Sequence, residues 1–333
     1  LEGEIGSVSE ARSFRRSRLS GELPFRILTL GSVLLAAALL FALIFVILEK
    51  SFILWPVEAP LTFLTSSGWF GATDPSGVIT AAFGALPMIW GTFITSLIGI
   101  AVAAPIGIFT AIYLVELAPK RLAAPLTFLV EIVAAIPSVV IGLWALGELS
   151  PRLRDSIEWW VASSLGQFIP WLSEDPQQPS DTSVFRSGIV LAIMITPMVA
   201  AVSREVIRSV PQSLREGLVG MGATKWETIR LVILPTARVG LLGAVLLAFG
   251  RAIGETIAVR LTIGMNISGV PPTLFQPGSS IAAQIAGAFG EASPIEKGAL
   301  AGLGLSLFLL TFILSLIVRL LMWRSANRMG ART

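Results

Sequence analysis

The stretch Ser209-Val-Pro-Gln-Ser-Leu-Arg-Glu-Gly-Leu-Val-Gly-Met-Gly-Ala-Thr-Lys-Trp-Glu-Thr-Ile-Arg-Leu-Val-Ile-Leu-Pro235 decides how the chain is read. Ser209 and Gln212 have the spacing of a capping box, with Pro211 in the first turn, where its missing N–H costs nothing. A short helix is expected to about Gly220, and Gly220 and Gly222 then interrupt it. Thr224 and Glu227 form a second capping box that starts a helix toward Ile233-Leu234-Pro235. The segment therefore predicts a helix, a glycine turn and a second helix. An exposed short helix of this kind can dock into a groove on a partner.

Outward from this unit the chain turns apolar. Ser187–Ser203 precedes it and Val239–Val259 follows it. Further runs are Ile27–Leu48, Met88–Val115, Leu122–Gly147 (interrupted only by Glu131) and Gly298–Val318. Each approaches the ~20 residues that cross a hydrocarbon layer. Of the 333 residues, 54% are hydrophobic and only 14% charged, well under the roughly one quarter usual in soluble domains. The expectation is an all-α polytopic membrane protein of about six transmembrane helices.

Charge sets the expected orientation. The segment between the fourth and fifth runs carries Arg204, Arg208, Arg215, Lys225, Arg230 and Arg238 against Glu205, Glu216 and Glu227. Arg12, Arg15, Arg16, Arg18 and Arg26 precede the first run, and Arg319, Arg324, Arg328 and Arg332 follow the last. Residues 148–186 are acidic in balance. Basic segments stay in the cytoplasm, so both termini are placed there. The first run reads as a membrane span, not a cleaved signal, because its apolar core is long and no small-residue cleavage site follows. The expected organisation is a cytoplasmic tail over 1–26, a transmembrane domain over 27–323 and a cytoplasmic tail over 324–333. Within the domain lie a coupling segment, 204–236, and an external insert, 148–186. Trp69, in a second long external segment at 49–87, and Trp159, Trp160 and Trp171, in the insert, suit interfacial anchors. The small net charge of +3 is accounted for by these loops, with no nucleic-acid partner implied.

The chain has neither Cys nor His. That excludes disulfides, thiol nucleophiles, imidazole bases and Cys/His zinc sites. No G-x-x-x-x-G-K-[ST] phosphate loop is present, so ATP chemistry of that kind must come from another polypeptide.

Three ionisable residues lie inside apolar runs. Arg251 follows Arg238 by thirteen residues, about 20 Å along a helix. Glu255 stands at i+4 from it, so both side chains share one helix face. A charge at the bilayer centre costs at least about 2.5–3.5 kcal/mol, so it needs a partner or a wet cavity. Two readings stand: Arg251 and Glu255 neutralise each other and pin helices, or Arg251 offers its fork of donors to a passing oxyanion while Glu255 orients it. Glu131 should face protein or water, most simply through a hydrogen bond to a neighbouring helix, and Pro137 should kink the same helix.

Several blocks resemble a known family. Glu216-Gly217-Leu218, Met221-Gly222-Ala223 and Ile233-Leu234-Pro235 resemble the EAA loop of bacterial ABC importer permeases, with Gly217 and Leu218 in place of two alanines. Gly250-Arg-Ala-Ile-Gly-Glu-Thr-Ile-Ala-Val259 is similar to the Arg-Ala-x-Gly-Glu-Thr motif of phosphate-specific ABC permeases, and its ending looks like the PstC-type subunit. Phe83–Pro87 with Gly91, Thr92 and Ser96, and Glu131–Gly142, resemble the same family. The resemblance covers roughly residues 60–322. It implies a type I ABC importer permease fold in the bacterial cytoplasmic (inner) membrane and inorganic phosphate as cargo. It implies a PstA-type permease as heterodimer partner, a phosphate-binding receptor outside, and an ATPase dimer that binds ATP and Mg. This chain would then hold no cofactor. It also implies pathway roles for Arg251, Glu255 and Thr256, and an ATPase contact through Glu216–Leu218 and Met221–Ala223. The alternative within this architecture is another oxyanion or small solute. A membrane-embedded enzyme using Glu131 and Glu255 as acid–base groups is the rival from another class, and it lacks a clustered site.

Overall fold

The computed structural model describes residues 2–70, 82–173 and 180–330, with side chains described from 24 to 320 and at 322. Most of the polar run at 175–181 and the Gly-containing stretch 71–81 lie outside the described residues. The chain divides into two compact units, Leu1–Lys50 and Ser51–Thr333. The first holds helix α1 (Glu2–Ser51) up to its last residue but one, Lys50. Its stretch Pro24–Ser51 is long and apolar enough to cross a membrane.

The second unit begins with the short α2 (Pro60–Thr65) and two two-residue antiparallel strands, β1 (Trp69–Phe70) and β2 (Ala82–Phe83). It continues through α3 (Leu86–Ile112), α4 (Lys120–Ala135), α5 (Ser138–Ser164) and α6 (Val184–Arg208). After these come α7 (Gln212–Gly220), α8 (Lys225–Ile253), α9 (Ile257–Ile263), α10 (Ile281–Ala288) and α11 (Pro294–Gly330). Among the described residues five helices have the length and apolar character of membrane spans, and six if the bent pair α4–α5 counts as one.

Helices α3 and α6 form the centre. Without a hydrophobic driving force between helices in lipid, close backbone approach through small residues holds such pairs. A methyl group added at Gly107 would lie 2.7 Å from Val199 Cβ, and one at Gly188 would lie 2.6 Å from Ile98 Cγ2. Glycine is therefore required at both positions. Ala103, Leu191, Ile195 and Val199 are buried in this seam, together with Ala248 and Ala252 of α8 and Val259 and Ile263 of α9.

Two expectations need correction. The run Leu122–Gly147 is not one straight span: it breaks between Ala135 and Ser138 with an 88° bend. Pro137 lacks an N–H and drives Ile136 into extended backbone (φ −64°, ψ 129°), which ends the helix instead of merely kinking it. Residues 148–164, within the expected external insert, are helical and continue α5 in short α and π turns. The insert is clamped by a pair invisible in one dimension. Arg186 (2% exposed) donates from Nε to Glu158 Oε1 at 2.8 Å and from Nη2 to Oε2 at 2.6 Å, and Glu158 is fully buried. Ser183 Oγ donates to the same carboxylate at 3.0 Å, and Arg186 Nη1 donates to the Ser180 carbonyl at 2.8 Å. Finally, Trp159, Trp160 and Trp171 are exposed as expected of interfacial anchors, but Trp69 is buried. Its Nε1 donates to Glu296 Oε1 at 3.1 Å and its ring meets Phe83 edge-on.

Candidate functional site

The unit around Glu216 is an exposed foot. No residue of α7 is buried, and Leu214, Val219, Met221 and Trp226 present apolar surface. Gly222 ends the helix with φ +87°, a conformation open to glycine and strained for other residues. The Met221 and Ala223 amides donate back to the Leu218 carbonyl and Gly222 N–H to Val219. The second capping box is present: Thr224 N–H and hydroxyl donate to Glu227, and Glu227 N–H donates to Thr224 Oγ1. The first is absent, a correction. Pro211 itself occupies the N-cap with ψ 134°, which leaves Ser209 outside the helix. The Ser209 hydroxyl donates to the Val206 carbonyl, and Gln212 Nε2 donates to Glu216 Oε1 at 3.1 Å. Glu216, Gly217 and Leu218 lie along the exposed helix, and a methyl group at Gly217 would meet nothing within 4 Å.

One contact of the foot was not foreseen. Arg215 Nη1 donates to the Glu116 carboxylate and Nη2 donates to the Ile207 carbonyl at 2.6 Å. Glu116 lies in the π turn Tyr113–Leu117 that ends α3, and Ile207 lies in the last turn of α6. A single, largely buried guanidinium thus ties the foot to both central helices. The partners are 99 positions apart in sequence, and only folding reveals the pairing.

Past the foot, helical backbone is continuous from Lys225 to Ile253, through a π turn at Ile229–Ile233. Pro235 directly follows that turn; inside a continuous helix it has no N–H to give the ladder, and the wider π turn stands where that bond is lost. The expected end of the second helix near Pro235 is therefore replaced by an uninterrupted rod. The rod stops at Ile253, capped by Gly254, and α9 begins only at Ile257. Thr256 Oγ1 donates to the Gly254 carbonyl at 3.2 Å, a local bond that competes with the helical ladder. The break corrects the reading of Arg251 and Glu255 as one helix face: Glu255 and Thr256 sit in the interruption, and no ion pair joins Glu255 to Arg251. Arg251, in the last turn of α8, is exposed and makes no hydrogen bond or ion pair among the described residues. Broken backbone at membrane depth is tolerated only against protein or a wet cavity, because its freed polar groups need partners.

A second cation was missed because the expected span ended at Val259. Arg260 of α9 donates from Nη1 to the Ala283 carbonyl of α10 at 3.0 Å and contacts Met265 Sδ at 3.1 Å. It lies so close over Gly287 that a methyl group there would fall 1.7 Å from Nη1. Glu131, toward the end of α4, accepts a 3.4 Å contact from Arg204 Nη2 on α6. Pro137 forms the α4–α5 break described above.

Residues 103–326 match the family described as "Binding-protein-dependent transport system inner membrane component". The "Phosphate transport system permease protein PstC" of Haemophilus influenzae is 40% identical over 269 residues, 81% of this chain and 83% of that protein. The protein of the same name from Mesorhizobium japonicum is 40% identical over 272 residues, 81% of this chain and 80% of that protein. A solved chain of the MetNI methionine ABC transporter in an inward-facing conformation is similar over 71% of this chain and 93% of its own length at 20% identity, with a TM-score of 0.44. Exposed foot, unbroken rod and broken apolar span thus accompany a match over more than two thirds of the chain, and the chain belongs to the family of binding-protein-dependent inner-membrane transport components, among the PstC-type permeases.

Proposed function

We propose that this chain is one permease subunit of an ATP-driven inorganic phosphate importer in the bacterial inner membrane, forming half of the pathway. The carrying observation is an exposed guanidinium, Arg251, unpaired among the described residues, at the end of a single helix whose other end is the foot. Over 29 residues that helix is about 43 Å long, enough to reach from a cytosolic partner to the membrane interior. The foot would dock in a groove of an ATPase subunit through Leu214, Val219 and Met221. Two copies of that ATPase bind ATP and Mg, so hydrolysis takes place on the partner and this chain carries no ATPase site of its own. A PstA-type permease supplies the other half of the pathway, and a phosphate-binding receptor delivers cargo to the opposite mouth.

Chemically, Arg251 offers a dianion a fork of charge-assisted donors in a low-dielectric passage. Glu255 and Thr256, in the adjoining break, are placed to orient the cargo: a carboxylate accepts from protonated phosphate oxygens, and a hydroxyl both donates and accepts. When the ATPase halves close, the foot moves. Arg215 passes that displacement to α3 through Glu116 and to α6 through the Ile207 carbonyl, while α8 carries it to the break. The test is phosphate uptake and ATP hydrolysis in liposomes holding both permeases, the ATPase and the receptor. Arg251→Ala should assemble normally and transport no phosphate; uptake at the wild-type rate would remove Arg251 from the pathway.

A further inference from the structure

Between α4 and the end of α6, on the side of the molecule that bears the foot, lies a groove of about 440 Å³ that no part of the transport reading uses. Its walls follow from helix periodicity. Lys120, Thr127, Phe128 and Glu131 recur on one face of α4, and Arg204 and Arg208 stand at i and i+4 on α6. Three cations thus share the groove with Glu131, and Glu205 on α6 pairs with both arginines. Arg204 is oriented, with Nη2 3.4 Å from Glu131 Oε1 and 3.0 Å from Glu205 Oε1. Arg208 Nη1 is 3.5 Å from Glu205 Oε1. Lys120, the first residue of α4, makes no ion pair among the described residues. The peptide dipoles at that helix start add to the positive field. The groove is open, and α4 has no buried residue: Leu122, Phe128, Leu129 and Ile132 are exposed beside it.

We propose that this groove binds a phosphate group, held by Lys120, Arg204 and Arg208, with Glu131 fixing Arg204 at its deep end. Two forked guanidinium groups and a mobile ammonium match the oxygens of a tetrahedral oxyanion better than a planar carboxylate. The group can come from two sources, the headgroup of an anionic phospholipid or free inorganic phosphate. The apolar surface of α4 next to the cations favours the lipid, because basic pockets between membrane helices on the cytoplasmic side take such headgroups. The site depends on this chain's residues alone, so a failure of the transport reading would leave it standing.

The test follows the reactivity of Lys120 toward an amine-acylating reagent, read by mass spectrometry in the purified complex with its permease and ATPase partners. The exposed Lys297 near the start of α11 serves as internal control. In detergent, added inorganic phosphate either slows acylation of Lys120 relative to Lys297 or leaves it unchanged. In nanodiscs, phosphatidylglycerol is compared with phosphatidylcholine, whose ammonium the three cations repel. Protection by phosphatidylglycerol alone assigns the headgroup, and protection by inorganic phosphate assigns the free anion. Protection by neither overturns the site. Arg208→Gln removes one exposed cation and should weaken the protection about fivefold; protection unchanged in that variant would overturn the three-cation cradle.

Discussion

Two arginines in this apolar protein have opposite fates. Arg186, at the start of α6, is locked by Glu158, Ser183 and the Ser180 carbonyl, and it is almost without exposure. Arg251, at the end of α8, is exposed and has no partner among the described residues. A charge removed from water requires either a paired counter-charge with its hydrogen bonds satisfied or a route back to water. The first arrangement makes a rigid joint. The second makes a binding group, because its donors remain available to something that passes.

The comparison can be broken from either end. The largest effect is expected at the locked arginine. Glu158→Ala leaves Arg186 buried and unpaired, which should cost about 3–5 kcal/mol of stability. Thermal unfolding of the purified complex would measure it, and Glu158→Ala combined with Arg186→Met should recover most of the loss. A small shift in the single variant would mean that water reaches the joint.

At the other end, Arg251→Ala removes no internal contact, so its effect on stability should stay within about 0.5 kcal/mol. Phosphate uptake should nevertheless fall at least about a hundredfold, equivalent to the loss of roughly 2.7 kcal/mol of charge-assisted binding. A variant that unfolds would place Arg251 with the locked arginine instead.

Arg215 is intermediate, since it is paired but lies on a moving part. Glu116→Gln should leave the ATPase bound while lowering phosphate transported per ATP hydrolysed by about tenfold, as expected for loss of a charge-assisted bond of ~1.4 kcal/mol. The exchange of both charges, Glu116→Arg with Arg215→Glu, should restore part of that ratio. The smallest effect is expected at Gly222→Ala. Left-handed backbone costs a non-glycine residue about 1–2 kcal/mol, which tilts the foot and lowers the same coupling ratio a few-fold without unfolding the chain. Unchanged coupling in that variant would separate the turn from the ATPase contact.

Much of this was legible in one dimension. Apolar run length located the spans, because the thickness of a bilayer is read residue by residue along a helix. The capping box at Thr224 and the glycine stop at Gly222 were legible because caps are made within four residues. Ser209 misled for the same local reason: proline can sit at the cap or just inside it, and the chain placed Pro211 at the N-cap, two positions earlier in the helix than the pattern suggested.

Sequence alone determined which segments are apolar, where the foot lies and which charges are stranded in membrane-length runs. It could not determine which charges find partners. Glu158 with Arg186 and Glu116 with Arg215 are brought together only when distant helices pack. Whether Arg251 and Glu255 share a face depended on a helix break between Ile253 and Ile257, with Ala252, Ile253, Ala258 and Val259 buried on either side of it. Periodicity and run length are properties of the chain itself, but the pairing of buried charge depends on three-dimensional proximity, which only the tertiary structure supplies.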